Sequence, residues 1–433
     1  MRRRWVAVTV SAAMLLTACG ILGEDAPPPD GGDSRISGEI TVLTNRTDQL
    51  SDGTLKKYAD RFRKLHPDVR VRFEAVTDYE GEIGDRLERG GYGDVLLIPN
   101  SMALGQYPTY FAPLGSADDL AQTFDFTEYA TVAHQVYGLA NIGIATGFVY
   151  NKAIWEQAGI TEWAKTPQQF IDDLKAVKAK TQAIPYYTNY HDGWPLRQWS
   201  DHIGGPSCDN SARDALAAVA DPWGPGRDLR AIDDLLYRVV REQLTEPDPT
   251  ATDWESSKTL LGTGRIGAMF LGSWAIPQMR KAAQAAGRNP DDIGYMPFPA
   301  LTKAHFCTVV QPDYKYAVSA HSKDKAAARA WIDWYLTKSG SAQAEQAVST
   351  VKGAPLPSAL KAFDERGVRI MTQTQDKAAA VSEIDKGAGI GLSAPDYRRK
   401  LVDIARGAAP GDQAGYFADL NKRWAESRRK LGA

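Results

Sequence analysis

Histidine and cysteine, the usual metal ligands and common nucleophiles or bases, are scarce here: six and three in 433 residues. The histidines are scattered, and Cys208 and Cys307 stand without histidines at ligand spacing, so no metal site is expected. Also missing are a Gly-x-Ser-x-Gly elbow, a His-Glu-x-x-His helix and a Gly-Lys-Ser/Thr phosphate loop, and no catalytic residue or cofactor is assigned. Charge of either sign is not in excess. With 51 basic against 53 acidic residues and a net charge of −2, the chain lacks the basic footprint of a nucleic-acid binder. Beyond the first twenty residues no apolar run is long enough to span a bilayer.

One stretch imitates a nucleotide motif. Residues 262 to 267, GTGRIG, fit G-x-G-x-x-G, which cradles pyrophosphate only where a strand enters the glycines and a helix leaves them. Here the order is reversed. Trp254, Ser257, Leu260 and Leu261 recur at helical spacing before the glycines, and the apolar run IGAMFLG follows them. The glycines therefore close a helix and open a buried strand, with Gly262 or Gly264 suited to positive φ and Gly267 to close packing.

The N-terminus reads MRRRWVAVTVSAAMLLTACG: three arginines, an apolar stretch and small residues, as in a secretory signal. LTAC at Leu16 to Cys19 resembles the bacterial lipobox, so residues 1–19 are expected to be a signal peptide ending at a lipidated Cys19. More than one acyl chain there would hold the protein at the outer face of the cell membrane. Residues 20–37, rich in Pro, Gly and Asp, are expected to form a disordered tether. About 395 residues remain, more than one hydrophobic core usually serves, and two domains follow as the prior.

Strand and helix patterns alternate from Gly38 onward. GEITVLT is β-rich; Leu55, Tyr58, Phe62 and Leu65 mark an amphipathic helix stopped by Pro67; VRVRFEAV alternates; DVLLIP is wholly apolar. This grammar predicts an α/β layer. It returns after GLANIGIATGFVYN, residues 138–151, with the helices NKAIWEQAGI and TPQQFIDDLKAVKAK, the run AIPYYTNY and the strand at Ile266. Trp331 and Trp334, three apart on an Ala-rich helix, read as core.

Several segments then fall in one order: FRKLHPDVRVRFE, GDVLLIP, YFAPL, VYNKAIWEQAGI, GTGRIGAMFLGSW, IGYMPFP, SKDKAAARAWIDWYL and GAPLPS. Together they resemble the extracellular solute-binding lipoproteins of carbohydrate ABC importers, the maltose-binding-like group, over nearly the whole mature chain. The resemblance implies an α/β, periplasmic-binding-protein-like type II fold. Its two lobes would be 38–145 plus 301–350 and 146–300 plus 351–433, joined by hinge crossovers around a ligand cleft. It also implies a carbohydrate ligand, an ABC importer permease as partner, and a monomer tethered to the membrane.

A sugar offers C–H faces and an edge of hydroxyls, so its site needs flat aromatics and short polar groups. Trp274, ending GSW, falls where the family places a stacking aromatic. Tyr190, Asp192 and Trp194 lie in a turn-rich segment matching the ligand loop; Trp194 is equally readable as a core residue. Asn45 and Asp48 after the first strand, and Asn100 and Ser101 after DVLLIP, resemble the family's hydroxyl ligands, with local turn bonds as the alternative. Asp313 and Tyr314 occupy a position where many relatives carry Gly-Gly, a departure from the pattern. Arg46 is a candidate for an acidic sugar, or simply solvated.

Two rival functions remain at this level. A surface-anchored glycoside hydrolase would need paired carboxylates about 5–9 Å apart. The same fold with a peptide, polyamine or metal-chelate cargo would want a different set of cleft groups. Cys208 and Cys307 are candidates for a bridge in an oxidising exterior, and spacing leaves bridge and free thiols both open.

Overall fold

A computed structural model describes residues 36–432 apart from residues 78 and 301–304. The signal peptide, Cys19, nearly all of the expected tether and the boundary at residue 301 lie outside the described residues.

The first sheet grows from the alternating patterns near residue 40. Val69–Ala75, Gly38–Thr44, Val95–Ile98, Lys315–Ser319 and Phe111–Ala112 lie side by side, with Leu139–Ala140 also on Lys315–Ser319. The first three strands are parallel and Lys315–Ser319 runs against them. Val95–Ile98 sits in the middle, which is why all four of its residues are apolar and buried. Helix Thr54–Leu65 lays Leu55, Tyr58 and Phe62 on this core. Its fourth expected contact, Leu65, is 59% exposed, and the ring of His66 covers Phe62 instead, 4.6 Å away. Trp331 and Trp334 of helix Lys325–Thr337 are buried against the same phenylalanine.

A second sheet carries Ile184–Tyr186, Ile266–Gly272, Gly143–Asn151, Cys307–Pro312 and Arg369–Met371 in that order, with Ile293–Met296 added on Gly143–Asn151. Helix Trp254–Gly262 does precede its strand Ile266–Gly272, so the glycine motif has the helix-to-strand order that rules out a phosphate cradle. Gly264 takes φ +74° in the connection, and a Cβ on Gly267 would stand 2.7 Å from the Pro185 carbonyl oxygen. Each sheet has its own apolar cluster.

The chain crosses between the sheets at residues 141–142 and returns at 313–314, and these two passages bond to each other. The Asn141 N–H donates to Tyr314 O at 2.8 Å and the Asp313 N–H to Ile142 O at 2.9 Å. A third passage runs near Val348 and Val351, which bridge to Gly143 and Phe124. Residues 143–145 and 307–312, expected with the first lobe, hydrogen-bond within the second sheet. Which sheet they join depends on partners far away in sequence.

Two covalent or charged ties brace the second lobe. Cys208 and Cys307 form a disulfide, Cα–Cα 5.5 Å. Asp233 of helix Asp228–Arg241 and Arg398 of helix Asp396–Ala405 pair at 2.8 Å with both side chains at 0% exposure. Trp223 Nε1 donates to the other oxygen of Asp233 at 2.7 Å, while Arg398 donates to Leu196 O at 3.2 Å and Ser200 Oγ at 2.7 Å.

Candidate functional site

A cleft of about 780 Å³ opens between the two sheets, within the range of small-molecule sites. The ends of strands from both sheets line it, because loops leaving the carboxyl ends of neighbouring strands converge on one crevice. Asn45 follows Gly38–Thr44, Asn100 follows Val95–Ile98, and Trp274 follows Ile266–Gly272.

The GSW sequence is explained residue by residue. A Cβ at Gly272 would lie 2.4 Å from Ile144 Cγ2 and 2.5 Å from Trp274 Nε1, so only glycine leaves room for the indole to fold beside the strand end. Ser273 is buried and bonded to the neighbouring strand: its N–H donates to Ala145 O at 2.8 Å and its Oγ accepts from the Ala145 N–H at 3.1 Å. Trp274 then stands half-buried on the cleft wall, as the residue preceding helix Ala275–Ala285. Around it Trp194 and Trp254 complete a cluster, with centroid separations of 5.0, 5.6 and 5.5 Å among the three rings. Trp194 and Trp274 line the cleft and Trp254 packs behind them.

The segment around Trp194 is helical rather than turn-like: Trp194–Arg197 continues into the 3-10 turn Gln198–His202. That geometry puts Trp194, Arg197, Gln198 and Asp201 on one face, and all four line the cleft. Their spacing of three, four and seven was the available signal, and the Gly and Pro residues nearby masked it. Gln198 Oε1 accepts from the Gly272 N–H at 3.4 Å, tying this face to the strand beneath Trp274.

Asp192 and Tyr190 do not line the cleft. The Asp192 carboxylate accepts the Trp254 N–H at 2.9 Å, holding the start of helix Trp254–Gly262. The Tyr190 hydroxyl donates to Asp403 at 2.9 Å, and its ring lies beneath Arg399 and Arg406. Ser101 is likewise engaged away from the cleft: Glu80 accepts its hydroxyl at 3.0 Å and the Asn100 N–H at 2.9 Å. For these three, satisfied local and tertiary bonds take the side chain that a free loop would have offered.

On the first-lobe wall Asp48 reaches the cleft with its charge already matched. Arg46 donates to both its oxygens, at 2.9 and 2.8 Å, and to Glu345 at 2.6 Å; Gln49 Nε2 donates to Glu345 at 3.0 Å. Burial opposes the Arg46 charge, but these carboxylates outweigh it and hold its pKa above the usual guanidinium value. Asp48 is pulled below the ordinary carboxylate range by the same fork. Arg46 therefore has little charge to spare for an acidic sugar.

Asp313 and Tyr314 line the cleft from within the passage between the sheets. Burial pushes the Asp313 carboxyl up to about 6, with Glu345 adding to the rise and Lys315 opposing it. Lys315, buried beside it, is lowered by desolvation. Among the described residues no group of three or more His, Cys, Asp or Glu is placed to hold a metal ion, and no helix is long and apolar enough to cross a membrane.

The chain is similar to proteins with known ligands. The model of the bacterial extracellular solute-binding proteins matches residues 47–342. Diacetylchitobiose binding protein DasA of Streptomyces coelicolor is 23% identical over 99% of this chain and 100% of its own. The manno-oligosaccharide specific solute binding protein BlMnBP2 of Bifidobacterium animalis subsp. lactis, solved with mannotriose, aligns with TM-score 0.84 and 25% identity, covering 91% of this chain and 95% of that one. BlMnBP1 of the same organism, a binding protein of an ABC transporter solved with mannobiose, gives 0.82 and 28% at the same coverage. Two α/β lobes meeting at an aromatic and polar cleft, together with a family match across most of its length, make this chain a member of the bacterial extracellular solute-binding proteins.

Proposed function

We propose that this protein captures a short neutral oligosaccharide in the cleft and delivers it to an ABC importer. The observation that carries the reading is the tryptophan cluster at residues 194, 254 and 274, of which Trp194 and Trp274 present indole to a cleft that also carries Tyr58, Tyr129 and polar groups such as Asn45, Asn100 and Gln198. Pyranose C–H faces pack on such surfaces while Asn45, Asn100 and Gln198 meet hydroxyls. The relatives' carbohydrate ligands agree with this chemistry.

Capture proceeds without covalent change. The lobes close about the passages at residues 141–142, 313–314 and 348–351, and the closed form docks on the permease as a monomer. The sequence at Cys19 supports anchoring of the protein by lipid at the extracytoplasmic face of the membrane. A thermal-shift panel of manno-, chito-, malto- and raffinose-type oligosaccharides tests the cargo class. A bound sugar at 100 times its Kd stabilises the folded state by about 2.7 kcal/mol and raises the melting temperature. If no carbohydrate moves the transition, the cargo is not a sugar; turnover of chromogenic glycosides above buffer would instead make the protein a hydrolase.

A further inference from the structure

Behind the main cleft lies a side chamber of about 170 Å³. Tyr129, Arg213, Gln311 and Ser393 border both spaces, so the two adjoin. Helix Ala378–Ala388 forms the far side, contributing Ala378 and Val381, and Leu392 extends this apolar wall.

The polar lining of the chamber combines Arg213, shared with the main cleft, with Asp385, which lines the chamber alone. Among the described residues the Arg213 guanidinium makes no hydrogen bond and no ion pair, although Arg213 is only partly exposed. Its backbone is well fixed: neighbouring Asp214 is buried and accepts from Thr374 Oγ1 at 2.6 Å and from the Asp376 and Lys377 N–H groups at 3.0 Å. Asp385 also lines the chamber, each carboxylate oxygen taking one backbone N–H, from Gly391 at 3.0 Å and Leu392 at 2.8 Å, which leaves lone pairs over. Gln375 Nε2 donates to the Tyr129 hydroxyl at 2.9 Å. Gln311 Nε2 donates to Asp201 O at 2.9 Å, leaving its carbonyl oxygen available.

An unpaired, donor-only guanidinium beside an acceptor-only carboxylate suits groups that both donate and accept, which hydroxyls do. A carboxylate or sulfate substituent would gain Arg213 but face Asp385, whose charge offsets it. The apolar wall gives a ring face somewhere to lie. Resting on the oligosaccharide reading above, we infer that this chamber is a subsite for one terminal neutral pyranose unit, with Arg213 forking onto its hydroxyls, so that Arg213 sets the preferred chain length of the ligand.

Isothermal titration with manno-oligosaccharides of two to five units, and N-acetylated chito-oligosaccharides of the same lengths, reads the subsite directly. For whichever series binds, affinity should rise at least tenfold at the length whose end unit enters the chamber. In Arg213→Ala that step should shrink to less than about threefold, whereas an arginine with only a structural role would weaken every length equally. Ser382→Phe, an exposed helix position bordering the chamber, fills the space without removing a core contact and should abolish the same step. Binding without a length step, or uniform losses in both variants, overturns the subsite and leaves the cargo class standing. Where neither series binds, the malto- or raffinose-type oligosaccharide that moves the melting transition is titrated over the same lengths; failure of all four types to bind removes the oligosaccharide reading and the subsite with it.

Discussion

At the scale of single residues, neighbours decided which candidates reach the cleft. Trp274 and Trp194 face it because Gly272 leaves room for the first indole beside the strand end and the helical turn at residue 194 carries the second. Trp274→Ala is expected to cost about 2 kcal/mol or more of binding free energy, roughly 30-fold in Kd, with Trp274→Phe recovering part of it; titration of the best panel sugar against both variants measures this, and an unchanged Kd in the alanine variant would make the indole structural. Asp313 offers a pH test. Its folded pKa of about 6 lies above the ordinary 3.8, so the folded chain binds this proton more tightly than the unfolded chain. Stability from this group is thus present below 3.8, declines as pH rises through the window up to about 6, and stays lost above it. Asp313→Asn should accordingly melt higher than the parent at pH 8 and match it near pH 3.5 in scanning calorimetry; equal melting at pH 8 would mean the carboxylate is fully solvated. Tyr190, Asp192 and Ser101 illustrate the opposite outcome. Each has the right type and a loop address, and each is held by a partner, Asp403, the Trp254 N–H or Glu80, that no local pattern reveals.

At the scale of elements, the Asp233–Arg398 pair couples stability to the site. Both charges are out of water, and Arg398 also holds Leu196 O and Ser200 Oγ, within and beside the turn that displays Trp194, Arg197, Gln198 and Asp201. Removing one partner leaves an uncompensated buried charge, so Asp233→Ala should destabilise the fold by about 3–5 kcal/mol. Urea denaturation checks the magnitude. If the pair positions the turn, sugar affinity measured well below the melting temperature should fall as well. Intact affinity at reduced stability would confine the pair to the core. Elements themselves were largely legible in the sequence. Helix Thr54–Leu65, strand Val95–Ile98 and the helix-to-strand order across the glycines follow from apolar period and breakers, which act within a few residues. The turn at 194–202 was hidden because Gly193 and Pro195 look like loop formers, although Pro is also accommodated in a first helical turn.

At the scale of the whole molecule, two sheets with separate cores and three connecting passages allow one lobe to swing against the other. Closure on a sugar should reduce the radius of gyration measured by small-angle scattering when the best-binding oligosaccharide is added in excess. An unchanged scattering profile with confirmed binding would mean that the cleft is occupied without lobe movement. The passages hydrogen-bond to one another through Asn141, Ile142, Asp313 and Tyr314, so a change at residue 313 bears on both ligand and hinge.

The amino-acid sequence by itself determined the alternation of strands and helices, the absence of the common catalytic motifs, the order of family landmarks and the placement of a tryptophan at a strand end. All of these rest on short-range periodicity, turn chemistry or residue type. Only the tertiary structure decided which sheet takes residues 143–145 and 307–312, that Cys208 meets Cys307, that Arg46 is already neutralised, and that Arg213 stands unpaired beside Asp385. Those outcomes depend on contacts between residues distant along the chain. Packing the chain into sheets and neighbouring helices brings them together, and a satisfied or unsatisfied polar group exists only once its neighbours are in place.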